Sequence, residues 1–347
     1  MKALVKEKPE PGIAYRDVPD PALTPGHVIV RVKACGISGS EVSRYRWTNA
    51  YHAGRAKDMT QLLPRIMGHE FSGTIAGVGA GVSGIAEGDP VVVQSVIGCG
   101  SCDSCDAGLP NHCNRRVTIG VHADGGFAEY CAVPAANVYP VPPGVSLEAV
   151  ALLQPFAIAA YALEVGGVRP GDRIGVWGVG AIGISIIQQA AIGGATVEFA
   201  VGRDEGRLEA ARVLGVKNII SASAVDAPQR LLELFGAKKL AAIYEVSGHT
   251  PAVNSALTLL KKRGRVVLIG NLREPFHADL LPAIMDQLNI LSVRTYSLSA
   301  WRRALALIPR VQGQQSALPV ERVPLAAGVR AFERAAAGEG IKFVLEP

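Results

Sequence analysis

Four of the six cysteines of this chain stand between positions 99 and 113, as Cys99, Cys102, Cys105 and Cys113. Four thiolates at that spacing can wrap one tetrahedral zinc ion, each sulfur about 2.3 Å from the metal. Such a shell leaves no position open for water, so the zinc would be structural rather than catalytic. The alternative is a disulfide knot, which a reducing compartment disfavours. Cys35 and Cys131 lie outside the cluster in apolar, strand-like stretches and are expected to be small buried thiols.

A second constellation is Gly178-Val-Gly180-Ala181-Ile182-Gly183, a G-x-G-x-x-G that follows the apolar run IGVW and opens a helical pattern. In that context the first glycine permits a tight turn. The second lets the backbone approach a pyrophosphate, and the third lets helix and strand pack closely. Free N–H groups at the helix start then face the phosphates. About twenty residues on, NAD sites place a carboxylate on the ribose hydroxyls. Here Gly202 occupies that position and Arg203 follows, while Glu198 falls too early, inside the strand. A missing carboxylate removes repulsion against a 2′-phosphate, and the planar fork of Arg203 can pair with one. Arg207 either assists or covers the helix face, and the alternative for Arg203 is a solvated turn residue. The reading is NADP(H).

These sites need elements to carry them. With 39 glycines and 22 prolines in 347 residues, tight turns and strand ends outnumber what a helical bundle would use. Hydrophobic residues at 49% against charged ones at 19% describe a core-rich globule rather than a disordered chain. Residues 1–147 alternate short strands (VIVRVKA, FSGTIAGVG, DPVVVQS, FAEYCAV) with Gly/Pro turns, the rhythm of an all-β unit interrupted by the cysteine lobe at 99–113. From 148 to 290 strand and helix alternate: DRIGVWGVG then AIGISIIQQAAIGG, TVEFAVG then RDEGRLEAARVLG, AAIYEVSG then TPAVNSALTLLKKRG, and finally RVVLIGN. That order predicts βαβ units and a parallel sheet, hence an α/β chain. Residues 291–347 are mixed and end on the strand-like KFVLEP.

The net charge of +5 is modest and scattered, which gives little support to a nucleic-acid partner. The longest apolar tract, Leu147 to Gly167, is broken by Glu148, Gln154 and Glu164, so a buried helix is expected rather than a membrane span. The opening MKALVKEKPEPG has no signal-peptide pattern, which points to the cytoplasm.

Taken with CGISGSE (35–41), GHE (68–70), GGFAEY (125–130) and QP (154–155), the cysteine lobe and GVGAIG resemble the zinc-containing medium-chain dehydrogenase/reductase family. The similarity is to its sorbitol and threonine dehydrogenase branch and spans the whole chain. It implies a GroES-like β-rich catalytic domain, a doubly wound Rossmann domain and a C-terminal segment returning to the first. It further implies an active site in the interdomain cleft and a homodimer or homotetramer.

The chain departs from the family at the catalytic zinc. The usual cysteine ligand of C-G-I-C-G-[ST]-D-x-H is Ser38, the usual Asp is Glu41 and the usual His is Ser43. His69 and Glu70 survive, but the distal glutamate is Gln154. Hydroxyl and amide replace a thiolate and a carboxylate, so at most a weak second zinc is expected at His69 and Glu70. Ser40 matches the family's proton-relay Ser/Thr. His69 is then free to act as a general acid, with Glu70 orienting or charging it. The alternative is an idle histidine of a former metal pocket.

The loop 43–67, with Arg44, Arg46, Arg55, Lys57 and Arg65 among Tyr45, Trp47, Tyr51 and His52, reads either as a mouth for an anionic or polyhydroxylated substrate or as a solvated loop; Asp58 offsets part of its charge. Tyr296 and Trp301 are candidates for the far wall. The expected activity is NADP(H)-dependent interconversion of a secondary alcohol and a ketone on a small polar molecule such as a polyol, hydroxy acid or amino alcohol. The alternatives are zinc-independent reduction of a conjugated C=C or an iminium, and an NADPH-holding relic without turnover.

Overall fold

In the computed structural model the strand-rich first part forms β1 (Lys2–Lys6), β2 (His27–Gly36), β3 (Phe71–Val78), β4 (Pro90–Val93), β5 (Tyr130–Pro134) and β6 (Val138–Pro140). The structure describes residues 1–47, 60–222, 227–236, 239–272, 274–275, 277–278, 280–311, 319–340 and 342–347. Helix α1 (Gly39–Arg46) leaves the end of β2, and α2 (Leu153–Val165) follows β6. The second part carries β7 (Arg173–Trp177), α3 (Ala181–Ile192), β8 (Thr196–Gly202), α4 (Glu205–Val213), β9 (Asn218–Ser221) and β10 (Leu240–Glu245). It continues through α5 (Thr250–Leu259), β11 (Leu260–Leu268) and β12 (Asn289–Ser292). The chain closes with β13 (Val320–Pro324), α6 (Gly328–Ala337) and β14 (Lys342–Glu346).

Two compact units result. One comprises Met1–Gln154, Ala304–Ser316 and Val320–Pro347; the other comprises Pro155–Arg303 and Ala317–Pro319. In the first, strands run in the order β6-β4-β3-β2-β14-β13, with β5 also pairing β2. β2 alternates buried and outward residues, so Val28, Val30 and Val32 enter the core while Arg31 and Lys33 face out. They meet Phe71, Phe127, Phe332 and Phe343. Phe127 and Phe332 pack edge to face with centroids 5.5 Å apart. Burying each such ring contributes about 1.5–3 kcal/mol. β14 lies beside β2, pairing Val344 with Gly36 and Leu345 with Cys35. That register brings the C-terminus to the strand end where α1 begins.

In the second unit the described strands run β9-β8-β7-β10-β11-β12, and the pairs are parallel throughout. This is the doubly wound order, with a reversal between β7 and β10. Its core gathers Trp177, Phe199, Ile220, Leu231 and Phe235.

One expected boundary moved. The run LKKRG reads as the end of a helix, yet α5 stops at Leu259 and Leu260 already pairs Leu240 in the parallel ladder. Arg263 turns through φ 61° to make the irregularity. An apolar LTLL fits helix and buried strand equally, and only the pairing partner decides. The apolar tract after Leu147 is a short turn of helix, Leu147–Val150, then α2. Among the described residues no helix is long and apolar enough to cross a membrane.

Candidate active site, cofactor crevice and metal lobe

The cysteine lobe is a loop of short turns, with Cys102 starting the Asp103–Asp106 helical turn and Cys113 ending the Pro110–His112 turn. The four sulfurs lie within 4.8 Å of one another. Cys99 and Cys105 Sγ are 4.0 Å apart, far beyond a disulfide bond but close to the edge, about 3.8 Å, of a tetrahedron with zinc–sulfur arms. All six cysteines are free thiols, so the disulfide alternative is not realised. Gly98 is required here: a Cβ would fall 2.7 Å from Cys105 Sγ. The Ser101 backbone N–H draws the Cys99 thiol down to about 6. The Arg115 guanidinium donates to Cys99 Sγ at 3.2 Å and to Ser101 Oγ at 2.8 Å. Four soft donors at this spacing fit a structural zinc. Cys35 and Cys131 are buried, and burial pushes both thiols up.

The glycine fingerprint forms the β7–α3 turn. Gly178 has φ +111°, and a Cβ on Gly183 would fall 1.8 Å from the Gly178 carbonyl oxygen, so no side chain is admissible there. Gly180, the N-cap of α3, faces open space: nothing lies within 4 Å of its notional Cβ. Its neighbours do not demand a glycine there, but the close passage of a ligand backbone would. The free N–H groups of Ala181, Ile182 and Gly183 begin the helix at that point. Position 202 cannot carry a carboxylate without repacking, because a Cβ would meet Val179 Cγ2 at 2.3 Å. Arg203 is exposed and Arg207 half-buried. Burial, with the neighbouring Arg203 charge, lowers the Arg207 guanidinium. Asp204 was not anticipated: its carboxylate caps α4 by accepting from the Arg207 N–H at 2.9 Å. Glu198 is taken up in an ion pair with Arg173.

The third site gathers at the end of β2. Ser38 is the N-cap of α1: its hydroxyl accepts from the Glu41 N–H at 3.2 Å, and Glu41 Oε2 accepts from the Ser38 N–H at 2.7 Å. This capping box fixes Glu41 inward. The Ser38 and Ser40 hydroxyls lie 2.9 Å apart. Glu41 Oε1 stands 2.7 Å from His69 Nδ1 and also accepts from the His69 backbone N–H at 3.1 Å. Glu70 is ion-paired with Lys342, whose ammonium also donates to the Ile37 carbonyl at 2.9 Å. Glu41, His69, Glu70 and Lys342 are all at least 94% buried. Gln154 Oε1 accepts from Ser95 Oγ at 3.3 Å. Against the pull of burial, Glu41 raises the imidazole above its ordinary value. Against the same pull, His69 holds the Glu41 carboxyl below the usual range.

One expectation is corrected here. Glu70 does not orient His69; Glu41 does, and Glu70 adds only a longer-range pull on its charge. Glu41 was visible only as a departure from the usual aspartate, and Lys342, 272 positions from Glu70, gave no local signal.

The substrate-mouth reading of 43–67 also loses members. Arg44 is buried and donates to the Gly120 carbonyl at 2.8 Å, while Arg65 pairs Asp124 at 3.1 Å. Tyr45 stacks on Phe332, and Trp47 lies under the Lys6 ammonium. These side chains hold the fold, for the physical reason that long stems satisfy buried carbonyls and cover apolar surface. Arg46 remains exposed and the Ser43 hydroxyl donates back to Gly39. Arg55, Lys57, Tyr51, His52 and Asp58 lie outside the described residues. Tyr296 and Trp301 are fully buried against each other, centroids 5.0 Å apart, as core rather than wall.

The family-implied catalytic zinc does not fit this pocket. Ser38 is taken by a helix cap, Gln154 by Ser95 and Glu70 by Lys342, which leaves His69 Nε2 without a second ligand among the described residues. Among the described residues, the cysteine lobe is the one cluster of three or more metal-ligating side chains.

Residues 24–143 match the alcohol dehydrogenase GroES-like domain, and residues 181–310 match the zinc-binding dehydrogenase domain. The chain is 30% identical over 349 residues to an L-threonine 3-dehydrogenase of Bacillus licheniformis, covering 100% of this chain and 99% of that protein. It is 29% identical to a sorbitol dehydrogenase of Halalkalibacterium halodurans, with the same coverage. Among solved structures, an alcohol dehydrogenase from Escherichia coli complexed with NADH superposes with a TM-score of 0.89 at 29% identity, covering 100% of this chain and 99% of that one. A zinc-binding dehydrogenase from Sinorhizobium meliloti bound to NADP gives 0.87 at 26%, with the same coverage. These whole-length likenesses agree with the β-rich unit, the doubly wound sheet and the cysteine lobe: the chain belongs to the zinc-containing medium-chain dehydrogenase/reductase family of oxidoreductases.

Proposed function

We propose that this chain is an NADP(H)-dependent dehydrogenase that interconverts a secondary alcohol and a ketone on a small polar substrate. Zinc is confined to the cysteine lobe, and a Brønsted acid stands in for the usual Lewis acid. The carrying observation is that Ser38, Gln154 and Glu70 at the former metal pocket are each committed to a protein partner. The relatives act, by name, on threonine and sorbitol, which supports a polyol, hydroxy acid or amino alcohol.

The bound nicotinamide supplies or accepts the hydride. His69 manages the proton. Its Nδ1 faces Glu41, so Nε2 is the nitrogen left to donate to the developing alkoxide in reduction and to take the proton back in oxidation. Glu41 keeps the imidazole oriented and favours the charged form. Glu70 is taken up in its ion pair with Lys342 rather than by the imidazole. Ser40, hydrogen-bonded to Ser38, offers a hydroxyl route for proton exchange.

NADP(H) is supported by the space-filled position 202 and by Arg203 and Arg207 beside it. Free thiols suit a reducing cytoplasm. A homodimer is supported by the open edge of β12, which carries the exposed Ile290 next to exposed Leu280, Leu281, Ile284 and Met285.

Metal analysis joined to an activity assay tests the reading. About one zinc per chain is expected, with NADPH-dependent ketone reduction persisting after brief chelation that spares the lobe. Two zincs per chain, or activity lost together with a second ion, would refute it.

A further inference from the structure

Glu245 ends β10 at the C-terminal edge of the parallel sheet and is fully buried, yet no proton or hydride step above uses it. The strand order reverses between β7 and β10, and doubly wound sheets bind ligands outside the carboxyl ends of their strands at that reversal. A carboxylate taken out of water there is costly unless its oxygens are satisfied. They are satisfied locally. Oε1 accepts from the N–H groups of Ser247 at 2.8 Å and Gly248 at 3.0 Å, and from the Ser247 hydroxyl at 2.5 Å. Oε2 accepts from the Gly248 N–H at 3.1 Å. The Glu245 carbonyl accepts from the N–H groups of Ile269 at 2.8 Å and Gly270 at 3.0 Å, which join the turn after β11 to the same residue.

The turn so held lies directly on the glycine fingerprint. A Cβ on Gly178 would fall 2.8 Å from the Ser247 nitrogen. A Cβ on Gly270 would fall 2.2 Å from the Gly248 nitrogen and 2.7 Å from Glu245 Oε2. Three strand ends therefore converge on one carboxylate with no room for side chains between them.

We infer that Glu245 is a positioning residue for the dinucleotide: its carboxylate sets the turn 246–248 against Gly178 and Gly270 and thereby shapes the nicotinamide half of the crevice. The inference rests on residues 178–183 being the dinucleotide site. In doubly wound dinucleotide folds the adenosine half belongs to the strands here numbered β7 and β8, so β10 and β11 serve the other nucleotide.

Glu245→Gln preserves shape but replaces an acceptor oxygen by an N–H that confronts the donors of the turn. Calorimetric titration of the full chain compares NADPH and NADH with the adenosine-half probes 2′,5′-ADP and ADP. The variant is expected to weaken the dinucleotide by about tenfold while leaving the half-probe and the zinc content unchanged. Ser247→Ala, which removes the hydroxyl that donates to Glu245 and accepts from the His249 N–H, is expected to weaken the dinucleotide in the same direction by about threefold. Equal weakening of dinucleotide and half-probe in both variants would mean general loss of structure and would overturn the inference. Unchanged dinucleotide binding in both would overturn it as well. Unaltered protein that binds neither dinucleotide would instead sink the cofactor reading itself, before any variant is compared.

Discussion

At the scale of single residues, the pair His69–Glu41 carries the chemistry proposed for the pocket. A histidine whose folded pKa is raised is protonated over a wider pH range than the free side chain. Ketone reduction should therefore fall as pH rises through that raised value, since the donor is then lost. Glu41→Gln keeps the cap partner but removes the charge that raises the imidazole. Its pH profile should shift to lower pH, with kcat for reduction reduced about tenfold or more at neutral pH; an unmoved profile would refute the role of Glu41. The linkage to stability has the same sign for the imidazole. The His69 contribution is present below pH ~6.5 and is lost as pH climbs through its folded value, whereas the Glu41 contribution is lost as pH falls through that carboxyl's lowered value.

At the scale of elements, the proposed preference for NADP(H) rests on the β8–α4 turn. Gly202 has no room for a carboxylate; Arg203 follows it in the turn and Arg207 lies on the first turn of α4. Arg203→Ala should weaken NADPH binding by about tenfold and leave NADH binding nearly unchanged, read by fluorescence titration of both. Equal losses would remove the argument for NADP(H). The glycine fingerprint and its strand–helix context were legible in the sequence, because each glycine answers to a local geometric need: a left-handed turn at Gly178 and a backbone approach at Gly183. The capping role of Asp204 was equally local and could have been found from an acidic residue opening a helical pattern. The start of β11 was not legible, because LTLLKKRG carries no period that separates helix from strand.

For the whole molecule, the open edge of β12 and its exposed apolar neighbours form a surface that water covers poorly. Two copies joined along that edge would bury it and extend the sheet. Ile284→Glu with Met285→Lys should shift the sedimentation profile toward the monomer without changing zinc content. A profile that stays dimeric would place the contact elsewhere.

The amino-acid sequence alone determined what depends on neighbours along the chain: the cysteine spacing of the metal lobe, the glycine turn, the succession of strands and helices, and the absence of thiolate and carboxylate at positions 38 and 154. Tertiary structure alone decided who partners whom in the buried pocket. Lys342 reaches Glu70 only because β14 pairs with β2, and Arg44 leaves the substrate mouth only because the Gly120 carbonyl needs a donor. Long flexible side chains have many possible partners in a sequence. Burial selects one, because an unpaired charge in the interior costs more than any alternative geometry.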